Sequence, residues 1–226
     1  MAISKRERHF IEENHPSLRF ITDSKILGSI SVHHVYNDFP VSEYFDIEIL
    51  IANDYPESIP IIKEIGGKIP DSYEHRYSDG RLCLGTDSDI LTKCNGRISI
   101  DKLIKHCVIS FLFSFRYFER FGEYPFGDRS HGGRGIVEAF MELFGVANIE
   151  QVSGIIKHAV LRKYRGHLPC PCGSGKTTRQ CHPISTAILQ KITYTKYLKA
   201  FIKSDLKLLQ EELKLYERDR KKAKRK

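Results

Sequence analysis

Apolar and polar residues change period along the chain, and each change marks an element. Ser4 to Asn14 has the spacing of a short helix, closed by His15-Pro16. Four short runs follow, at Leu18 to Thr22, Ile26 to Val35, Tyr44 to Ala52 and Pro60 to Ile65. In the second run Ile26, Gly28, Ile30, Val32 and His34 alternate with Leu27, Ser29, Ser31, His33 and Val35, the period-two pattern of a strand. Asp23-Ser24, Asn37-Asp38-Phe39-Pro40 and Asn53-Asp54-Tyr55-Pro56 separate the runs as turns. No helical segment lies between them, which excludes parallel crossovers and predicts an antiparallel meander.

From Gly66 to about Gly96 the periodicity stops, as expected of a functional loop. Ser99 then has the character of an N-cap, with Asp101 in the first turn. Ile100, Leu103, Ile104, Cys107, Phe111, Phe115 and Phe118 follow at helical spacing as one long core helix. Cys107 lies on its apolar stripe and reads as packing, while Cys94 sits in a turn and receives no role. Further helices are predicted from Ile136 to Phe144 and from Ile149 to Tyr164. Near the end Leu198, Ile202, Leu206, Leu209, Leu213 and Tyr216 form one stripe, either packed on the core or offered to a partner helix. The fold class expected is α+β.

With 226 residues, 41% hydrophobic and 11% aromatic, the chain can build one sizeable core and an appendage. Met1 to Phe10 lacks the apolar segment of a signal peptide, and nowhere do eighteen apolar residues run together. A soluble, cytoplasmic protein is expected, and in that compartment six cysteines are ligands, nucleophiles or core filler. Much of the net charge of +8 sits in Arg218 to Lys226. That block is either a solvated helix end or a contact for an acidic partner. It carries no base-reading motif, so nucleic acid is not an expected partner.

The segment Pro169-Cys-Pro-Cys-Gly-Ser-Gly-Lys-Thr-Thr-Arg-Gln-Cys-His182 invites two readings. As a phosphate loop it fails, because the first required glycine falls on Cys170 and no apolar strand precedes it. As a metal site it offers Cys170, Cys172, Cys181 and His182, four ligands in thirteen residues, the number a closed tetrahedral zinc site takes. Lys176 and Arg179 would offset the single negative charge left by three thiolates and an imidazole on Zn²⁺. The spacing resembles the SEC-C motif, C-x-C-x8-C-[CH], at every ligand position. The resemblance implies a small rigid zinc knuckle used for docking.

One helix, a meander, the turn Tyr55-Pro-Glu-Ser-Ile-Pro60, a long loop carrying Gly80-Arg-Leu-Cys-Leu84, and a core helix follow in that order. This order resembles the ubiquitin-conjugating fold over about residues 1 to 120. The resemblance implies a ubiquitin-conjugating-enzyme-like antiparallel meander with flanking helices, followed by a zinc knuckle and a C-terminal helix. It makes Cys83 the thiol that carries a protein C-terminus as a thioester and passes it to an amine, chemistry that suits a thiolate. The alternative for Cys83, between Leu82 and Leu84, is a small buried hydrophobe. In the eukaryotic family an asparagine lies eight residues upstream and donates to the oxyanion; here that position is His75, which can donate likewise or accept a proton from the incoming amine, or is an exposed loop histidine with no task. His131, among the glycines of the segment 130–135, is a second candidate neighbour of the cysteine or a plain connector residue.

The segment from Pro125 to Gly135 is similar to that of bacterial relatives encoded beside antiphage cyclic-oligonucleotide synthases. That likeness implies the synthase C-terminus as acyl donor, where a ubiquitin-like protein is the donor otherwise. A separate activating enzyme is implied where activation needs ATP, because the chain carries no nucleotide fingerprint. The expected divisions are 1–146 for the catalytic domain, 147–167 for a helical linker, 168–184 for the knuckle and 185–226 for the basic terminal helix. The rival function is a non-catalytic adaptor that binds a ubiquitin-like protein.

Overall fold

The computed structural model describes residues 3–127, 132–158, 166–187 and 198–223, with side chains from residue 205 onward in the last segment. His131, the tail beyond 223 and the part of the second predicted helix beyond 158 lie outside the described residues. Contacts gather into two compact units, 1–85 with 97–128, and 86–96 with 129–226. The segment 1–146 thus contributes to both.

The first unit opens with helix α1 (Lys5–Asn14), whose N-cap Ser4 accepts from the Glu7 amide. Four strands follow in sequence order, each antiparallel to the next: β1 (Leu18–Thr22), β2 (Lys25–Tyr36), β3 (Phe39–Leu50) and β4 (Ile61–Glu64). The chain is therefore mixed α+β with the meander its alternation predicts. Ile26, Ile30 and Val32 of β2 are buried, together with Phe45, Ile47 and Ile49 of β3. β3 begins five residues before the expected Tyr44. Asn37 and Asp38 both have positive φ, 47° and 58°, making a two-residue hairpin turn that places Phe39 directly opposite Tyr36. Pro40 lies near that hairpin end, away from the four β3 residues paired with β4. Gly28 is required where β1 meets β2, because at its φ of 149° a Cβ would lie 2.0 Å from the Ser17 carbonyl oxygen.

The core helix forms as α3 (Ile100–Leu103), a π turn (Ile104–Val108) and α4 (Ile109–Phe121). Ser99 caps it, accepting from the Lys102 amide, and a left-handed Gly122 ends it. The π turn, closed by the Ile109 amide on the Ile104 carbonyl, inserts a residue and rotates the buried face. Leu112, Phe113, Phe115 and Tyr117 are buried, whereas Phe111 and Phe118 of the expected stripe are half-buried. Cys107 is buried, as packing requires.

The second unit contains α2 (Asp87–Lys93), α5 (Gly133–Phe144), α6 (Ile149–Ile156), α7 (Thr178–Cys181) and α8 (Leu198–Ala223). Helix α2 interrupts what the lost periodicity presents as loop; Thr86 caps it by accepting from the Asp89 amide, and buried Cys94 ends it. Helix α8 packs on α2, α5 and α6, with Leu206 and Leu209 buried. Tyr216, the last member of the expected stripe, is exposed. Among the described residues no helix is long and apolar enough to cross a membrane.

Candidate active site and candidate metal centre

Residues 75–83 fold as a tight hairpin. The Tyr77 amide donates to the Arg81 carbonyl at 2.9 Å and the Gly80 amide to Tyr77 at 2.8 Å, with Gly80 left-handed at φ 82°. This is a three-residue connection, Ser78-Asp79-Gly80, of the kind that takes glycine last. Asp79 reinforces it by accepting from the Arg81 amide at 3.1 Å and from its guanidinium at 2.7 Å. Arg76 then bridges to Leu82, and the Cys83 amide donates to the His75 carbonyl at 2.8 Å. The eight-residue separation of His75 and Cys83 is thus a register. It sets them side by side on one face, with Arg76 and Leu82 on the other.

The scaffold of the first unit fixes this hairpin. Buried Leu82 donates its amide to the Ile62 carbonyl at 2.9 Å, and Lys63 bridges to Arg81, so the second arm extends the sheet beyond β4. Arg76 donates to the Ile69 carbonyl and pairs with Asp71 at 2.9 Å. Ile69 is held in turn by Glu64, a carboxylate only 2% exposed that accepts the amides of Gly66 (2.8 Å), Lys68 (3.1 Å) and Ile69 (3.2 Å).

Aromatic rings seat the imidazole. His75 lies edge-on to Tyr73 at 5.7 Å and to Tyr124 at 5.1 Å. Tyr73 packs on Phe115 of α4, and Tyr124 stacks on Phe118 at 4.6 Å. The Tyr124 hydroxyl donates to Glu74 at 2.7 Å. Burial, with hydrogen bonds to Tyr73 and Glu74, keeps its phenol protonated well above the ordinary tyrosine range.

Cys83 is half-buried. A hydrogen bond with the His75 imidazole lowers its pKa below the ordinary thiol value, against the opposing effect of burial. Further donors are the Tyr77 hydroxyl, at 3.4 Å from Sγ, and the Gly85 amide. A half-exposed thiol so surrounded has the environment a nucleophile needs, and it is not core filler. Tyr77, Tyr124, Glu74 and Glu64 escaped the sequence reading. The signal that would have found Tyr77 is Asp79-Gly80, a hairpin turn that brings alternate residues to one face.

In the second unit the cysteines and His182 also come together. The Cys170 amide donates to the Lys176 carbonyl at 2.8 Å and the Gly173 amide to the Cys170 carbonyl at 3.2 Å, with Gly173 and Gly175 left-handed. Helix α7 returns Cys181 and His182, whose amides donate to Thr177 and Thr178 at 2.9 Å each. The ligand atoms of Cys170, Cys172, Cys181 and His182 all lie within 4.8 Å of one another, with the Cys172 and Cys181 sulfurs 3.5 Å apart. A tetrahedral zinc with sulfur ligands at about 2.3 Å has edges of about 3.8 Å, so this cluster can hold a metal ion. His182 Nε2 is buried without a hydrogen-bond partner, an orphan that a metal would satisfy. Burial pushes the Cys170 thiol up to about 12. At Cys172 burial acts the same way, but hydrogen bonds within the knuckle, with Ser174 the largest contributor, prevail and bring it down to about 6. Gln151 of α6 donates to the Cys172 carbonyl at 2.7 Å, tying the knuckle to the helices of its unit.

The segment Gly173-Ser-Gly-Lys-Thr-Thr178 is engaged in this knuckle, where Pro169 and Thr177 form an isolated bridge and the Thr178 amide donates to the Leu168 carbonyl at 3.0 Å. Among the described residues no strand feeds it as a phosphate loop requires. Family models, curated proteins and solved structures were all compared with the chain, and none matches.

Proposed function

We infer that the chain is a ubiquitin-conjugating-like transferase that carries a protein C-terminus as a thioester on Cys83 and passes it to an amine. The observation that carries this reading is the hairpin register, which sets an imidazole beside a half-buried thiol. The order of helix, meander and core helix supports it as the family resemblance requires. The donor is an activated C-terminal carbonyl, of a ubiquitin-like protein or of a cyclic-oligonucleotide synthase in a bacterial antiphage system.

In the first step the Cys83 thiolate attacks that carbonyl, the C–S bond forms, and the activating group leaves with its electron pair. In the second an amine attacks the thioester carbon, the C–N bond forms, the C–S bond breaks to return a thiolate, and the surplus proton on nitrogen passes to solvent. Both steps pass through an oxyanion. His75, held between Tyr73 and Tyr124, is the nearby donor for that oxygen.

The Cys/His cluster would hold zinc through Cys170, Cys172, Cys181 and His182. Four protein ligands close the coordination sphere, so the metal's contribution is structural, and Lys176 and Arg179 balance its charge. The knuckle would then be a docking element and not a second reaction centre.

The test uses the full chain with a ubiquitin-like protein bearing a C-terminal thioester. Intact-mass spectrometry should show a covalent adduct that a reducing thiol removes and that Cys83→Ala abolishes. An adduct that survives in Cys83→Ala, or that forms on another cysteine, would refute the assignment. Binding of the donor with no adduct would leave a non-catalytic adaptor.

A further inference from the structure

The geometry points to Tyr77 as a catalytic residue, whose hydroxyl donates to the Cys83 sulfur whenever that sulfur carries charge. Its role in acyl transfer rests on the function proposed above; its effect on the thiol does not. Tyr77 lies two residues after His75 on the same arm of the hairpin, so alternation puts both side chains on the Cys83 face. Its ring is 50% exposed, and an exposed phenol ordinarily turns its hydroxyl to water. Here the hydroxyl turns back to Sγ at 3.4 Å. Arg81 holds it there, with its guanidinium 5.0 Å from the ring centroid and anchored on Asp79. Tyr77, Arg81 and Asp79 thus form a brace built from the turn itself.

The chemistry gives such a donor work at two moments. Before loading it favours the thiolate over the thiol. Once the acyl group is attached, sulfur is neutral and a poor acceptor. When the amine attacks, the C–N bond forms, the C–S bond breaks and its electron pair returns to Sγ, where the Tyr77 O–H donates. The surplus proton on nitrogen passes to solvent. An interaction stronger in that transition state than in the thioester accelerates discharge, and a better-stabilised leaving thiolate departs faster.

Tyr77→Phe tests the assignment, because it keeps the half-exposed ring and its contact with Arg81 and removes only the hydroxyl. The first readout is the pH profile of Cys83 alkylation by iodoacetamide in the full chain, resolved by peptide mass spectrometry. The midpoint should rise by about 0.5–1 pH unit, the size of one ordinary hydrogen bond lost at a half-exposed site. Preformed thioester should then discharge to a small amine roughly tenfold more slowly in the variant. An unchanged alkylation midpoint overturns the assignment, whatever the chain transfers. A raised midpoint in a protein that accepts no acyl group would retain Tyr77 as the thiolate's donor and remove the transfer reaction instead. A thioester that forms and discharges at the wild-type rate would remove its role in transfer.

Discussion

Glu64 supports the hairpin that carries Cys83 through Ile69 and Arg76, and replacing it should loosen that hairpin without touching the thiol. Its carboxylate is 2% exposed and accepts three amides, Gly66 on one oxygen and Lys68 and Ile69 on the other. Charge-assisted bonds contribute roughly 1.5–3 kcal/mol each, and the cost of burying the charge offsets several kcal/mol of that sum. The net gain in the native protein is therefore smaller than that sum, but removal does not return to zero. Glu64→Ala strands the buried Ile69 amide at about 1–3 kcal/mol, while the half-buried Lys68 amide and the exposed Gly66 amide recover part of their bonds from water. A loss of about 2–3 kcal/mol follows. Glu64→Gln can present oxygen to only one side and sets its amide group against an N–H on the other, so roughly half that loss is expected. Because the chain forms two compact units, a global melt mixes their transitions. Amide exchange at Gly66, Lys68 and Ile69 reads the site directly. Since the Ile69 carbonyl holds Arg76, the alanine variant should also move the Cys83 alkylation profile toward that of an ordinary cysteine. Wild-type exchange at all three amides in Glu64→Ala would refute the reasoning.

The other predictions concern the second unit. Removing metal with a chelator should speed amide exchange across 166–187 and leave β1 to β4 unchanged, and Cys181→Ser should weaken zinc binding by more than about 100-fold. Preparations that bind no zinc under reducing conditions would refute the metal centre. Asp87 is raised to about 6 from its ordinary 3.8 by burial and by the charge of Asp205. Between those values the folded chain holds the extra proton, so this carboxylate's contribution to stability falls as pH rises toward 6, and the penalty is complete above it. Asp87→Asn should therefore stabilise the second unit above pH 7 by at most about 3 kcal/mol, with the gain vanishing below pH 4. A pH-independent change in melting temperature would contradict this.

Legibility in the sequence followed the range of the interactions. The strands were readable because alternation is local, as in Ile26, Ile30 and Val32, all buried. The start of β3 was not, because Pro40 and Asn37-Asp38 look like a single long turn until both positive-φ residues are seen to close a two-residue hairpin. Helix α2 was invisible for a related reason. Its seven residues include Asp87, Ser88 and Asp89, and its burial depends partly on Asp205, which accepts the Ser88 amide from 117 positions away. The rotated face of α4 follows from a π turn for which spacing gave no sign. The metal cluster was readable because its four ligands fall within thirteen residues and need little but their own turn.

The candidate active site stands between these cases. Its reacting groups are local, Cys83 with His75 and Tyr77, and a turn of three residues is enough to make them neighbours. What local sequence cannot decide is which face of the hairpin meets the core, since a slip of one residue would exchange the two faces. That choice is made by Leu82, buried with its amide on Ile62, and by Arg76, held at Ile69 through a loop that Glu64 organises. Burying the leucine on one side of the cysteine is what turns the sulfur outward on the other. The Leu-Cys-Leu pattern that argued for a buried thiol is therefore compatible with an accessible one: alternation in a hairpin arm puts consecutive side chains on opposite faces, so an apolar neighbour supplies the anchor against which a reactive residue is presented.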